Sequence, residues 1–185
     1  MANKVGIAEI YPQLAEQGAA IEDIYLSAYP HKEIAEARIL IRLTKSKAVY
    51  GAVACLDAKI IGFIILLSSG ESADILEICV APVAQNNGIG KMLLTVAIEL
   101  SIAREQQKII LEVAEDNAIA QQLYRRADFR EIGRREGYYQ RGSCQIDALV
   151  MEKHLPTGCA SKAWRKYGPT GKSGNRAKKG NFYFA

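Results

Sequence analysis

The sequence predicts an α/β protein of mixed α+β type, built on one central mixed and mostly antiparallel sheet with helices on both faces. Three observations predict it. Of 185 residues, 49% are hydrophobic and 24% charged, which suits one globular core with a wet surface. Mean hydropathy is −0.04, too apolar for wholesale disorder. The apolar pattern also changes period, from strand-like runs over 48–80 to a 3.6-residue repeat over 88–107 and back to a strand-like run over 108–114.

The elements follow in order. Residues 5–11 alternate weakly and suit a short first strand. Leu14, Ile21, Ile24, Tyr25 and Ala28 then mark a helix up to Pro30, and a second helix covers 31–43. Strand-like runs at 48–56 and 59–67 flank Asp57-Ala58, a connection of hairpin length with weaker turn chemistry than Asp-Gly. A turn at 68–72 leads to a strand at 75–80 ending before Pro82, so three antiparallel strands are expected over 48–81. Ile89, Met92, Leu93, Val96, Ala97, Leu100 and Ala103 share one helix face, with Lys91 and Glu99 opposite. The strand at 108–114 then pairs parallel with 75–80, because a helix between two strands makes a crossover. A short helix at 117–127 and a hairpin of 129–138 with 144–153 complete the domain, taken as residues 1–155.

Composition narrows the function. The longest apolar runs fall far short of the ~18 residues needed to span a bilayer, and the N-terminus lacks a signal-peptide pattern; no membrane role is expected, and the location is expected to be cytoplasmic. Cys55, Cys79, Cys144 and Cys159 form no C-x-x-C pair, and His31 and His154 stand at no zinc-ligand spacing, so no metal is expected. Cys55 and Cys79 read as small buried hydrophobes. From Pro156 onward seven Lys and Arg stand without an acid, among six glycines or prolines between 158 and 180. The total of +4 therefore becomes −3 for residues 1–155, and the pI of 8.8 belongs to a basic, flexible tail at 156–185. A mildly acidic domain suits a cationic partner rather than nucleic acid.

The segment Val80-Ala81-Pro82-Val83-Ala84-Gln85-Asn86-Asn87-Gly88-Ile89-Gly90-Lys91 runs from strand through loop into helix. Its Q-x-x-G-x-G pattern leaves backbone N–H groups aimed at one point on the positive end of a helix, and its glycines admit a ligand to the backbone. Such a loop can hold a pyrophosphate. It can also be an ordinary strand-to-helix turn. A nicotinamide Rossmann site is disfavoured, because the third glycine and the acidic ribose partner are missing, and no G-K-[ST] makes it a P-loop.

Downstream stand Leu111-Glu112-Val113, then Asn117 through Leu123-Tyr124 in an N-x-x-A-x-x-L-Y pattern, Phe129, Tyr138-Tyr139, and Asp147-Ala148-Leu149-Val150-Met151. With the phosphate loop, this order of motifs resembles the GCN5-related N-acetyltransferase (GNAT) superfamily over residues 5–154, and within it the bacterial ribosomal-protein alanine N-acetyltransferases. The resemblance implies the GNAT fold, acetyl-CoA held by Gln85, Asn86, Asn87, Gly88, Ile89, Gly90 and Lys91, and a bulged strand that splays from its parallel neighbour. Main-chain groups at Ile78 and Val80 would pair with the pantetheine arm, and Asn117 would touch it. The sequence departs from the pattern at Asn86, where arginine is common, at Asp128, where glycine is usual, and at Tyr29-Pro30-His31, where Phe-Pro and a tryptophan are common.

On strand 108–114, Ile109, Leu111 and Val113 share one face, leaving Glu112 among apolar neighbours on the other. It reads either as an exposed glutamate or, by the resemblance, as the general base. Tyr124 lies two helical turns after Asn117. Tyr124 reads as a core aromatic or as the acid that protonates the CoA thiolate, and Asn117 as an N-cap, a cofactor contact, or both. Glu77 is a second acid near the splay, a rival base or a contact for a cationic substrate; Tyr138 and Tyr139 would line the acceptor groove. The implied reaction is acetylation of the N-terminal α-amine, that of an alanine, of a ribosomal protein, and the tail could touch ribosomal RNA. Two rivals stay open: a small-amine acetyltransferase for a polyamine or antibiotic, and a non-enzymatic acyl-CoA-binding module with an RNA-contacting tail.

Overall fold

In the computed structural model, the residues described are 6–10, 17–30 and 32–156. The basic tail from 157, Leu14, His31 and Cys159 lie outside them. Seven strands form one sheet: β1 Gly6–Ile10, β2 Val49–Leu56, β3 Lys59–Ser69, β4 Ser72–Val80, β5 Lys108–Ala114, β6 Arg130–Arg141 and β7 Cys144–His154. Their spatial order is β1-β2-β3-β4-β5-β7-β6, and the one parallel neighbour pair is β4 with β5. Helices α1 Gly18–Ala28 and α2 Ile34–Leu43 precede β2, α3 Ile89–Ala103 joins β4 to β5, and α4 Ala118–Arg126 joins β5 to β6.

The mixed, mainly antiparallel sheet with helices on both faces is therefore present, and each helix is explained by what it buries. On one face, Ile89, Leu93, Leu94, Ala97 and Leu100 of α3 and Tyr124 of α4 pack with Ala52, Ile64, Leu66, Ile109, Leu111 and Val113. On the other, Ile21, Ile24 and Tyr25 of α1 and Ala37 of α2 cover Val53, Phe63, Ile65 and Cys79. The thiol of Cys79 sits in this apolar layer, as the bland reading expects.

Several boundaries move, each for a local reason. The turn between β2 and β3 holds Asp57 at φ 48° and Ala58 at φ 66°, the two positive angles of a tight hairpin turn despite the Ala. β4 begins at Ser72 rather than 75, because Gly70 at φ 61° closes a shorter turn than expected. α3 stops at Ala103 instead of running to 107: Glu105 adopts φ 60° and the Gln106 N–H returns to the Ser101 carbonyl. α2 starts at Ile34, with Glu33 as N-cap in a capping box with Glu36. Asp128, standing where glycine is usual, takes φ 63° and closes α4, as a residue that tolerates left-handed angles can.

The feature that positions the site is the junction of β4 and β5. Their register runs only from Ser72 opposite Lys108 to Ile75 opposite Leu111. Beyond it β4 continues along β3 to Val80 opposite Gly62, while β5 continues along β7 to Ala114 opposite Ala148. The two strands part. A register shift places Ile75 opposite Leu66 but Glu77 opposite Ile65, so Leu76 is the extra residue of a bulge. Strand side chains alternate, and one extra residue reverses which face each later residue takes. Ile75, Ile78 and Val80 thus lie with the α3 layer, and Glu77 and Cys79 turn toward α1.

Candidate active site

One end of the opening is the loop from 81 to 88. Pro82–Ala84 form a single 3-10 turn; Asn86 at φ 62° and Gly88 at φ 75° then swing the chain into α3. The Gln85 amide donates to the Val80 carbonyl at 3.0 Å, and the Asn87 amide donates to the carbonyls of Gln85 at 3.0 Å and Ala84 at 3.3 Å. These amides brace the loop. Gly88 is the N-cap of α3, no side chain caps the helix, and its first turn holds no acid. A Cβ added at Gly88 would meet no atom within 4 Å, so the backbone stands open to solvent at the positive end of a 15-residue helix. This cradle fits a pyrophosphate, with Ile89, Gly90 and Lys91 supplying the N–H groups of the first turn.

The walls are the main chains of Leu76–Val80 on β4 and Glu112–Ala114 on β5, including Ile78 and Val80. Asn117 closes the far side: its side chain accepts from the Ala120 N–H at 3.1 Å and caps α4, so the N-cap reading is what the geometry displays. Gln121 ties the start of α4 to the end of β5, donating to Glu115 O at 2.7 Å and Ala114 O at 3.1 Å. That brace fixes Tyr124, which is buried with its ring 5.8 Å from Phe129. Burial raises the Tyr124 phenol above its ordinary value, and the charge of Glu77 and the neighbouring Tyr139 raise it further.

The two carboxylates sit in different surroundings. Glu112 faces away from Ile109, Leu111 and Val113, as alternation predicts, and pairs with Arg135 of β6 at 2.8 Å. Glu77 accepts from the Tyr29 hydroxyl at 3.0 Å. Burial lifts the Glu77 carboxyl from 4.5 to about 7, opposed by the Tyr29 hydrogen bond, the Ile78 N–H and the Lys32 charge. A third acid, Asp74, is raised by burial and by Glu112.

Tyr138 and Tyr139 reach the site on a distorted hairpin. Between Arg135 opposite Ala148 and Tyr139 opposite Ile146, residues 136–138 face a single partner, and the Gly137 N–H, at φ 58°, donates to Asp147 Oδ1 at 2.9 Å. That bond and Arg134 hold the Asp147 carboxyl below its ordinary value. The two tyrosine rings meet edge to face at 5.0 Å, and the Tyr139 hydroxyl donates to the Glu112 carbonyl at 3.3 Å. A hydrogen bond to Glu112 and then burial raise the Tyr138 phenol; burial first, then Tyr138, Glu112 and Glu77, raises Tyr139 to about 12. Of the expected residues, Glu77, Ile78, Val80 and Glu112 lie on the two parting strands, Gln85 to Lys91 on the loop and helix start after β4, Asn117 and Tyr124 at the cap and on the helix after β5, and Tyr138 and Tyr139 on β6. Sequence reasoning missed Arg135 and the role of Tyr29; the recurrence of Ile21, Tyr25 and Tyr29 at four-residue steps was the signal that Tyr29 lies on the buried side of α1.

A parallel strand pair that parts, followed by a loop into an uncapped helix start, is an arrangement that can hold a phosphate-bearing acyl donor. The chain matches the acetyltransferase (GNAT) family over residues 18–129, and it belongs to that family: it is an N-acetyltransferase, in a family that uses acetyl-CoA. It is 38% identical over 97 residues to the [ribosomal protein bS18]-alanine N-acetyltransferase of Haemophilus ducreyi, a match covering 52% of this chain and 67% of that protein. It is 37% identical over 75 residues to the mycothiol acetyltransferase of Clavibacter michiganensis, covering 40% of this chain and 24% of that one. The fold resembles the crystal structure of the ribosomal-protein-S18-alanine N-acetyltransferase from Escherichia coli, with TM-score 0.74, 22% identity, and 82% and 94% of the two chains covered.

The raised Glu77 carboxyl has a consequence for stability. A group whose folded pKa of about 7 exceeds its unfolded 4.5 supports folding fully below pH 4.5 and loses that support as pH rises to 7. Glu77→Gln removes the burden of a buried charge. It should raise unfolding stability at pH 8 by up to about 3 kcal/mol, with the gain vanishing below pH 4.5, in urea titrations at the two pH values.

Proposed function

We infer that this protein transfers the acetyl group of acetyl-CoA to the N-terminal α-amine of a ribosomal protein whose first residue is alanine. The observation that carries the reading is the opening between β4 and β5 with its glycine cradle, joined to the similarity with an enzyme named for the same acceptor. Acetyl-CoA supplies an activated thioester. The cradle at Gln85, Asn86, Asn87, Gly88, Ile89, Gly90 and Lys91 would hold its pyrophosphate, and the main chain at Ile78 and Val80 together with Asn117 would hold the pantetheine arm. A main-chain N–H near Val80 polarises the carbonyl, Tyr124 supplies the proton that the departing sulfur needs, and a carboxylate at the opening, Glu112 or Glu77, takes the proton that the nitrogen sheds. Tyr138 and Tyr139 line the acceptor groove.

An N-terminal amine suits this site because its pKa of ~7.7–8.0 leaves much of it neutral at working pH, so a modest base suffices. Asp74, Glu77 and Glu112 gather acid at the groove, which favours a cationic acceptor segment. Such an acceptor puts the reaction in the cytoplasm. The basic tail at 156–185 adds a weak contact with ribosomal RNA in this reading. The similarity to a mycothiol acetyltransferase favours, as the second reading, a small-molecule amine.

Three outcomes follow. Acetyl-CoA at a hundred times its Kd should stabilise the fold by ~2.7 kcal/mol in a thermal-shift assay, and Gly88→Glu, which fills the cradle with like charge, should abolish the shift while leaving circular dichroism unchanged. Mass spectrometry of protein N-termini in cells lacking the gene should show a ribosomal protein with an unacetylated N-terminal alanine; full acetylation of every ribosomal N-terminus would instead support the small-amine reading. Removal of residues after Leu155 should leave turnover of a short peptide unchanged and reduce co-sedimentation with ribosomes at low salt, an electrostatic contact that added salt also removes.

A further inference from the structure

The D-A-L-V-M segment of β7 divides into a buried part and one charged residue. Ala148, Leu149 and Met151 are buried, so packing accounts for them. Packing does not account for Asp147, which faces residues 136–138 of β6 by itself. The register at this point decides how far the two tyrosines reach. Continued regularly from Arg135 opposite Ala148, the antiparallel ladder would set Tyr139 opposite Cys144, at the tip of the hairpin. Two extra residues in β6 set it opposite Ile146 instead. Tyr139 is thereby drawn back along β7 by two positions, or ~7 Å at ~3.4 Å per residue. An even number of extra residues keeps the alternation of faces, so only the reach changes. From this position the Tyr139 hydroxyl meets the Glu112 carbonyl at 3.3 Å, and its ring meets that of Tyr138 at 5.0 Å.

The extra residues are tied down by Asp147. Its Oδ1 accepts from the Gly137 N–H at 2.9 Å, its Oδ2 accepts from Arg134 at 3.2 Å, and its main-chain carbonyl accepts from the Glu115 N–H at 2.9 Å, just past the end of β5. Gly137 supplies the φ of 58° that the detour needs. One residue thus joins β5, β6 and β7 where the tyrosines leave the ladder. Arg134 also reaches Glu115 at 2.8 Å, but both side chains are about half exposed, at 45% and 46%, and ion pairs so placed contribute little. A carboxylate accepting from a main-chain N–H is short, directional and stronger than a neutral hydrogen bond.

Resting on the reading of Tyr138 and Tyr139 as the wall of the acceptor groove, we propose that Asp147 is a positioning residue for the acceptor: by closing on the Gly137 N–H, its carboxylate pins the two-residue bulge that brings both tyrosines to β5. Without that bond the hairpin takes the regular register, residues 140–143 become a longer tip loop, and the two rings withdraw from the opening. The donor side is untouched, because the loop from 81 to 88 and the start of α3 share no residue with the hairpin.

The test compares Asp147→Ala, Asp147→Asn and Arg134→Gln in the full chain, by KM and kcat for a peptide acceptor, by thermal shift with acetyl-CoA, and by NMR of the protein without ligand. Asp147→Ala should raise the acceptor KM ~10-fold while kcat stays within ~3-fold, with the acetyl-CoA shift unchanged. Its Gly137 amide should exchange ~10-fold faster or more, and the cross-strand contact of Tyr139 should pass from Ile146 to Cys144. Asp147→Asn keeps a side-chain oxygen for the Gly137 N–H, so it should hold the observed register and a KM within ~3-fold of wild type. Arg134→Gln should do the same, since the hydrogen bond and not the charge sets the register. A merely structural Asp147 would lose kcat, acetyl-CoA shift and stability together, with no rescue by Asn. An Asp147→Ala protein that keeps the contact between Tyr139 and Ile146, or that loses it with KM unchanged, overturns the proposal, as does Asp147→Asn failing as fully as the Ala variant. The NMR contacts need no acceptor and decide the register whatever the enzyme acetylates. If the wild type turns over a small amine in place of peptides, KM is read with that amine, and the failed acceptor reading shows in the choice of amine.

Discussion

Strands β4 and β5 are hydrogen-bonded for four residues and then separate, and the rest of the site depends on that divergence. A parallel pair in mid-sheet is normally sealed, because unpaired backbone donors and acceptors are costly to bury. Here each strand finds its partner on the outer side, β3 for β4 and β7 for β5, so each inner edge is free to face a ligand. The opening also fixes direction. At one end β4 delivers the chain through the 81–88 loop into the uncapped start of α3, and at the other the end of β5 feeds α4 and seats Tyr124 against Phe129.

Chemistry follows from how the same sheet treats its acids differently. The bulge at Leu76 moves Glu77 out of the α3 layer to the α1 side, where a phenol supplies the hydrogen bond. Glu112, the first residue of β5 beyond its pairing with β4, meets an arginine brought by the hairpin. A carboxyl raised by its surroundings is a general route to an acid or base that works near neutral pH. The raised Glu77 carboxyl works against folding once it ionises.

Much of this was legible in the sequence because it follows from periods. Alternation on 108–114 puts Ile109, Leu111 and Val113 inside and Glu112 on the opposite face, and the glycine pattern at 85–90 marks the start of α3. The bulge was not legible: Ile75 and Leu76 are consecutive apolar residues that satisfy either face, so nothing local says which of them is the extra one. The side on which Glu77 lies was hidden with it. Tyr29 and Arg135 were missed for a related reason, since their partners are 48 and 23 residues distant and reach them through sheet order and a hairpin distortion. The early end of α3 lacked a signal too, because Glu105 takes a left-handed angle that glycine usually marks.

The central claim is that the free inner edge of β4 receives the acetyl donor as an added strand would be received. Amide hydrogen exchange of Leu76, Glu77, Ile78, Cys79 and Val80, followed by NMR with and without acetyl-CoA, tests it most directly. Saturating acetyl-CoA should slow exchange at one or more of the inward-facing amides in this segment by ~10-fold or more, together with the amides of Gly88, Ile89 and Gly90 at the cradle. Slowed exchange at the cradle with none on β4 would contradict the account, because the donor would then be held by its phosphates alone and the opening between the strands would have some other use.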